Sequence, residues 1–117
     1  MPLIQIFTSA PCPAREAQHA LMWGISRALA RHFKKSEQWV MTMLVPDVAM
    51  TFGGTDEPSC FAAVKNVGEL SSERAVQLSD DLCSRLSEGL GIPKQRIYVE
   101  FTEAQGRLWG WNGETFG

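Results

Sequence analysis

Three side chains and one backbone nitrogen stand out as groups that could do chemistry. Pro2 leads straight into the apolar run Leu3-Ile4-Gln5-Ile6-Phe7. If Met1 is removed, the chain starts with a secondary amine held at the end of a rigid element, a candidate general base. An amine can act as a base near neutral pH only where its ordinary pKa of about 8 is lowered by desolvation or a neighbouring cation. Lys35, which closes the first helical segment, is a candidate cation, although a lysine there also suits the negative end of a helix dipole. Tyr98 is the only tyrosine and sits in an apolar strand, where packing is its plainer role. Glu100, two residues on, shares Tyr98's face of that strand. A carboxylate on such a face needs a partner, either a subunit contact or a cation such as Arg107 or Lys35.

Other chemistries have little support. Cys12, Cys60 and Cys83 form neither a disulfide framework nor a CxxC pair, and no cation or base adjoins Cys12 or Cys60. His19 and His32 have no ligand-like companions, so no zinc site is expected. The sequence contains no GxSxG elbow, P-loop or GxGxxG, and "FGGTDEP" reads as a bent surface loop. A net charge of -2, with only the short basic run His32-Phe33-Lys34-Lys35, argues against a nucleic-acid partner. No run of about 18 apolar residues suggests a membrane span. With no leader visible before the first strand, the cytosol is the expected location and Pro2 the expected mature N-terminus.

The elements that must hold these groups follow from periodicity. Leu3 to Phe7 predicts a strand. "PCPAREAQHALMWGISRALARHFKK" predicts a helix, with Pro13 in its first turn, Glu16 at its positive end and Lys34-Lys35 at its negative end. Its apolar stripe is Ala17, Leu21, Ile25, Ala28 and Leu29. Trp39 to Val45 predicts a second strand, ended by Pro46. After the loop "DVAMTFGGTDEPS", Cys60 to Val64 predicts a third. Ser71 or Ser72 would cap a second helix carrying Ala75, Leu78, Leu82 and Leu86, with Gly89 and Gly91 at its close. "RIYVEF" is the fourth strand.

The 117 residues therefore predict one α/β (α+β) domain, residues 1–117, built from tandem βαβ units at 1–50 and 58–104. Two helices would cover one face of a four-stranded sheet. The strands nevertheless read as near-continuous apolar runs, the pattern of a sheet buried on both faces. A second copy of the chain is the economical cover.

The segments "MPLIQIFTSAP", "VPDVAMTFGGTDEP", "IYVEF" and "GWNGETF" together resemble the macrophage migration inhibitory factor family of the tautomerase superfamily. The match runs end to end, with an apparent two-residue insertion near Pro11 to Pro13. The resemblance implies a homotrimer of double βαβ units with sites at subunit interfaces. It assigns Pro2 as the catalytic base and Lys35 as the active-site lysine. Val67 falls on a small apolar wall position, Tyr98 on the pocket tyrosine from the neighbouring subunit, and Trp111 and Phe116 on the C-terminal aromatics. Three departures from the family stand out: Glu100 replaces an asparagine, Trp109 a smaller apolar residue, and Ser59 and Ala62 the two cysteines of a CxxC motif.

By that resemblance the chain is a keto–enol tautomerase for small arylpyruvate-like 2-oxo acids. Pro2 would take the proton α to the carbonyl, Lys35 would hold the carboxylate, and Tyr98 would meet the developing enolate oxygen. Val67, Glu100, Trp109, Trp111 and Phe116 would form the substrate-binding wall. No metal or organic cofactor is expected, because the carbonyl already acidifies the proton. The alternative is a cytokine-like module that binds a protein receptor, is exported without a signal peptide, and keeps at most weak tautomerase activity.

Overall fold

The computed structural model describes residues 1–117. Its order is β1 (Leu3–Thr8), α1 (Arg15–Phe33), β2 (Met41–Val45), β3 (Cys60–Val67), α2 (Ser72–Leu90) and β4 (Ile97–Ala104). A short hairpin follows, β5 (Gly110–Trp111) and β6 (Glu114–Thr115). The sheet order is β2-β1-β3-β4, with β2 parallel to β1, β4 parallel to β3, and β1 antiparallel to β3. Both helices pack on one face. Neither is long and apolar enough to cross a membrane.

Strand alternation sorts the side chains. Ile4 and Ile6 on β1, Cys60, Ala62 and Val64 on β3, and Val99 and Phe101 on β4 face the helices. They meet Leu21, Ile25 and Leu29 of α1 and Leu78, Leu82 and Leu86 of α2. Thr8 is buried on the same side, and its hydroxyl donates to the Ser59 carbonyl at 2.8 Å and accepts from Ala10 N–H at 3.1 Å. The opposite face carries Leu3, Gln5, Phe7, Phe61, Tyr98 and Glu100, with Met41, Met43 and Val45 exposed on the edge strand.

Several element boundaries differ from the sequence expectation. α1 starts at Arg15 behind Ala14, so Pro13 precedes the helix rather than opening it. Ala17 is exposed, because the first turn borders an open groove with Arg85, Glu88 and Gly89 instead of the sheet. Trp39 belongs to a 3₁₀ turn, Glu37–Trp39, which Ser36 caps by accepting from Gln38 N–H at 3.4 Å; strand pairing begins only at Met41. β3 runs on to Val67, since pairing with β4 carries Lys65 and Asn66 into the sheet. β4 begins at Ile97 and reaches Ala104, and Arg96 lies in a preceding 3₁₀ turn.

The ends of α2 match expectation. Ser71 Oγ accepts from Arg74 N–H at 3.2 Å, and Gly91 takes the left-handed conformation at φ 68°. Gly89 lies within α2, where a Cβ would come within 2.7 Å of Leu21, so its role is close helix contact. Asp81 of α2 links the two helices, with His32 Nε2 and Arg85 Nε each at 2.8 Å and Arg31 at 3.4 Å. Burial alone would raise the Asp81 pKa, but the His32 and Arg85 hydrogen bonds and charges hold it below the usual carboxylate value.

Candidate functional site

Two adjoining hollows lie where β1 begins and α1 ends. Pro2 is fully buried, and its carbonyl accepts from Met41 N–H at 3.1 Å, which fixes the start of β1 to β2. The first hollow, about 250 Å³, is lined by Met1, Pro2, Trp39, Trp109, Trp111 and Phe116 among others. Its aromatic wall is self-packed: Trp39 meets the edge of Trp111 at 4.8 Å between ring centres and Phe116 at 6.0 Å. The β5–β6 hairpin presents that wall. Its turn needs Asn112 and Gly113 at φ 52° and 80°, the conformation an Asn-Gly pair tolerates best.

Lys35 is delivered by the end of α1. Lys34 takes φ 54°, its N–H donates to the Arg31 carbonyl at 3.3 Å, and Lys35 N–H donates to the Ala30 carbonyl at 2.9 Å. That paired closure reverses the chain and returns Lys35 toward β3. There Lys35 Nζ donates to Asn66 Oδ1 at 3.1 Å and to the Val67 carbonyl at 2.7 Å. Lys35 and Val67 line the second hollow, about 310 Å³, with Asn66, Lys34, His32 and Arg74.

Met1, which lines the first hollow, carries a terminal amine that lies close to Lys35 of the second. With Met1 in place the free amine belongs to Met1, and it interacts with Lys35. Burial, then the hydrogen bond with Lys35 and its positive charge, lowers the amine's pKa from 8.0 to about 5. Such an amine is neutral at pH 7. In contrast, burial, with a smaller contribution from Cys83, pushes the Cys60 thiol up to about 12, which leaves it protonated and a poor nucleophile.

Of the residues expected to act together, Pro2, Trp109, Trp111 and Phe116 share the first hollow, while Lys35 and Val67 sit across Met1 in the second. Tyr98 and Glu100 are not with them. Tyr98 pairs with Phe61, which pairs with Phe7, so five strand positions, about 16 Å, separate Pro2 from its level. Tyr98 is 64% exposed and leans on Phe52 at 4.8 Å. Glu100 is exposed on the same face, and every ion pair in the chain converges on Asp81 instead. Neither expected cation serves Glu100: Lys35 is held by Asn66 and Val67, and Arg107 donates to Gln105 at 2.9 Å.

Two contributors were not anticipated. Asn66 lay beyond the expected end of β3, although continuing that strand's alternation places it on the Ala62–Val64 face. Trp39 lies in an expected strand by its apolar run, and nothing local in the sequence links it to residues more than seventy positions away.

The architecture, two βαβ units forming one mixed sheet under two helices, is shared with solved relatives. The macrophage migration inhibitory factor homologue from Prochlorococcus marinus is 43% identical, with a TM-score of 0.93 over 98% of this chain and 99% of that one. The Trichinella spiralis protein is 27% identical at a TM-score of 0.88, over 97% and 99%. In sequence, the Trichuris trichiura homolog is 33% identical over 112 residues, 95% of this chain and 98% of its own. The mouse macrophage migration inhibitory factor is 28% identical over 116 residues, 99% of each. The family profile described as "Macrophage migration inhibitory factor (MIF)" matches residues 1–117. The chain belongs to the macrophage migration inhibitory factor family, within the tautomerase superfamily.

Proposed function

We propose that this chain is a cofactor-independent keto–enol tautomerase of small arylpyruvate-like 2-oxo acids, with Pro2 as general base. The observation that carries this reading is the terminal amine, set against Lys35 at the rim of an aromatic hollow. Removal of Met1 passes the free amine to Pro2, a secondary amine at the buried start of β1. Burial and Lys35 favour its neutral form by the same physics that acts on Met1. Pro2 then takes a proton from the carbon next to the substrate carbonyl, and the electron pair moves onto the carbonyl oxygen as an enolate. The proton returns to oxygen or carbon. Lys35 attracts the carboxylate, and Trp39, Trp109, Trp111 and Phe116 enclose the ring. Val67 packs beside Lys35.

The Tyr98 end of the site comes from a neighbouring copy in this reading. A homotrimer whose open sheet faces meet would cover Met41, Met43 and Val45 and bring a partner's Tyr98 to the enolate oxygen. Glu100 would arrive with it, and as an anion it weakens binding of a carboxylate substrate.

The test is phenylpyruvate tautomerisation by protein whose intact mass verifies loss of Met1. Pro2→Gly is expected to lower the rate on the order of 10²-fold, a typical general-base contribution, and to keep the assembly. An unchanged rate makes Pro2 a passive terminus and turns the reading toward receptor binding.

A further inference from the structure

Alternation along β3 calls for an apolar residue at position 66, on the face that carries Ala62 and Val64 toward the helices. Asparagine stands there instead, only 6% exposed, although strands disfavour it. A buried amide is kept where its polar atoms find partners, and this one finds Lys35. An ammonium only donates, so the atom facing Lys35 Nζ at 3.1 Å is Oδ1.

The backbone fixes Asn66 on both sides. It pairs with Glu103 of β4, and Gly68, at φ 118°, donates to the Ala104 carbonyl at 3.2 Å where the strand closes. The Lys35 stem is flexible by contrast. Asn66 Oδ1 and the Val67 carbonyl, at 2.7 Å, take two of its three N–H bonds, and a further hydrogen bond links it to the terminal amine. Both fixed acceptors are neutral, and the ion pairs of the chain lie at Asp81, so no carboxylate cancels the Lys35 charge. Among the charged groups lining the same hollow, Lys34 and Arg74 share its sign, His32 is engaged with Asp81, and Glu69 makes no bond to Lys35.

We propose that Asn66 is a positioning residue of this site: it fixes the Lys35 ammonium through a neutral acceptor and leaves the whole positive charge to the terminal amine and an incoming carboxylate. A carboxylate at position 66 would orient Lys35 as well but cancel its charge. An apolar residue would spare the charge and lose the orientation. The carboxylate half of this role rests on the tautomerase reading; the effect on the amine does not.

Proline labelled with ¹³C lets NMR follow the Pro2 amine in protein whose intact mass verifies loss of Met1. Asn66→Leu, which matches the shape of asparagine without its polar atoms, should raise the amine's titration midpoint by part of the rise that Lys35→Ala produces. In the Lys35→Ala background the same substitution should add nothing, because Asn66 acts through Lys35. Asn66→Ser, which keeps an acceptor, should stay closer to the wild type than Asn66→Leu. With phenylpyruvate, Asn66→Leu should raise KM about twofold and Asn66→Asp about fivefold, the span of solvent-screened charge pairs, with kcat above the midpoint little changed. An unmoved midpoint in Asn66→Leu, or an equal rise with and without Lys35, overturns the positioning role. A KM in Asn66→Asp no higher than in the wild type overturns the need for a neutral acceptor. Absence of tautomerisation by the wild type overturns the tautomerase reading, while the midpoints still decide the role of Asn66.

Discussion

The two faces of the sheet solve different problems. On the helix side, Ile4, Ile6, Ala62, Leu78, Leu82 and Leu86 have no exposed surface at all. On the other side, Met41 is 59%, Met43 39%, Val45 37% and Tyr98 64% exposed. One face completes the fold of a single chain, and the other is left open. The candidate site divides along the same line. Pro2, Lys35 and the aromatic wall are assembled within one chain, while Tyr98 and Glu100 lie on the open face.

Substitutions on the two faces should therefore fail in different ways. Met43→Glu places a charge on the open face; it should leave the far-ultraviolet dichroism of the helices intact but yield a species sedimenting at 13.0 kDa, without tautomerase activity. Leu82→Ala removes bulk from the closed face and should cost about 2–4 kcal/mol of stability by denaturant titration, while the protein that remains folded still assembles. If Met43→Glu assembles normally, the open face is not the contact.

The contrast sharpens at the amine, where the site meets the closed face. In the chain that retains Met1, the terminal amine should titrate near 5 instead of 8.0, which NMR of the ¹³C-methylated amine can follow. Because burial is the largest cause and Lys35 the next, Lys35→Ala should move the midpoint only part of the way back up. The sign carries to stability. Between about 5 and 8.0 the unfolded chain binds the proton that the folded chain sheds, so this group penalises folding below that window, and the penalty disappears as pH rises through it. A midpoint near 8.0 would remove the electrostatic basis for a neutral Pro2.

The smallest effect is expected at the open-face residue least typical of the family. Glu100→Asn removes an exposed, unpaired anion, so the KM for phenylpyruvate should fall about threefold in a screened setting, with kcat little changed. Repulsion acts on bound substrate and transition state alike. A KM that does not fall places Glu100 away from the substrate.

Much of this was legible in the sequence because the relevant forces are local or periodic. Leu78, Leu82 and Leu86 recur at helical spacing and are buried, and Ser71 and Gly91 bound their helix as their side-chain chemistry dictates. Two apolar strand faces served by only two helices already implied an uncovered side. The failures came where tertiary pairing overrides local pattern. β3 continues through the polar Lys65 and Asn66 because β1 and β4 flank it, and Trp39 leaves its strand because Ser36 caps a turn. The partners of Lys35 were hidden for the same reason, as Asn66 and the Val67 carbonyl become neighbours only through that extended strand.

Whether one site draws on two chains is most directly tested by mixing two crippled ones. Pro2→Gly lacks the proposed base, and Tyr98→Phe lacks the proposed enolate donor, a loss of about 10²-fold if that hydrogen bond forms in the transition state. Both leave Met41, Met43 and Val45 of the open face unchanged. Co-refolded in equal amounts, they should place an intact Pro2 beside an intact Tyr98 of a neighbour in about a quarter of sites by random assortment. The mixture should then recover close to that fraction of wild-type phenylpyruvate activity, far above either parent. Activity no greater than the average of the two parents would contradict a shared site and return Pro2 and its chemistry to the single chain.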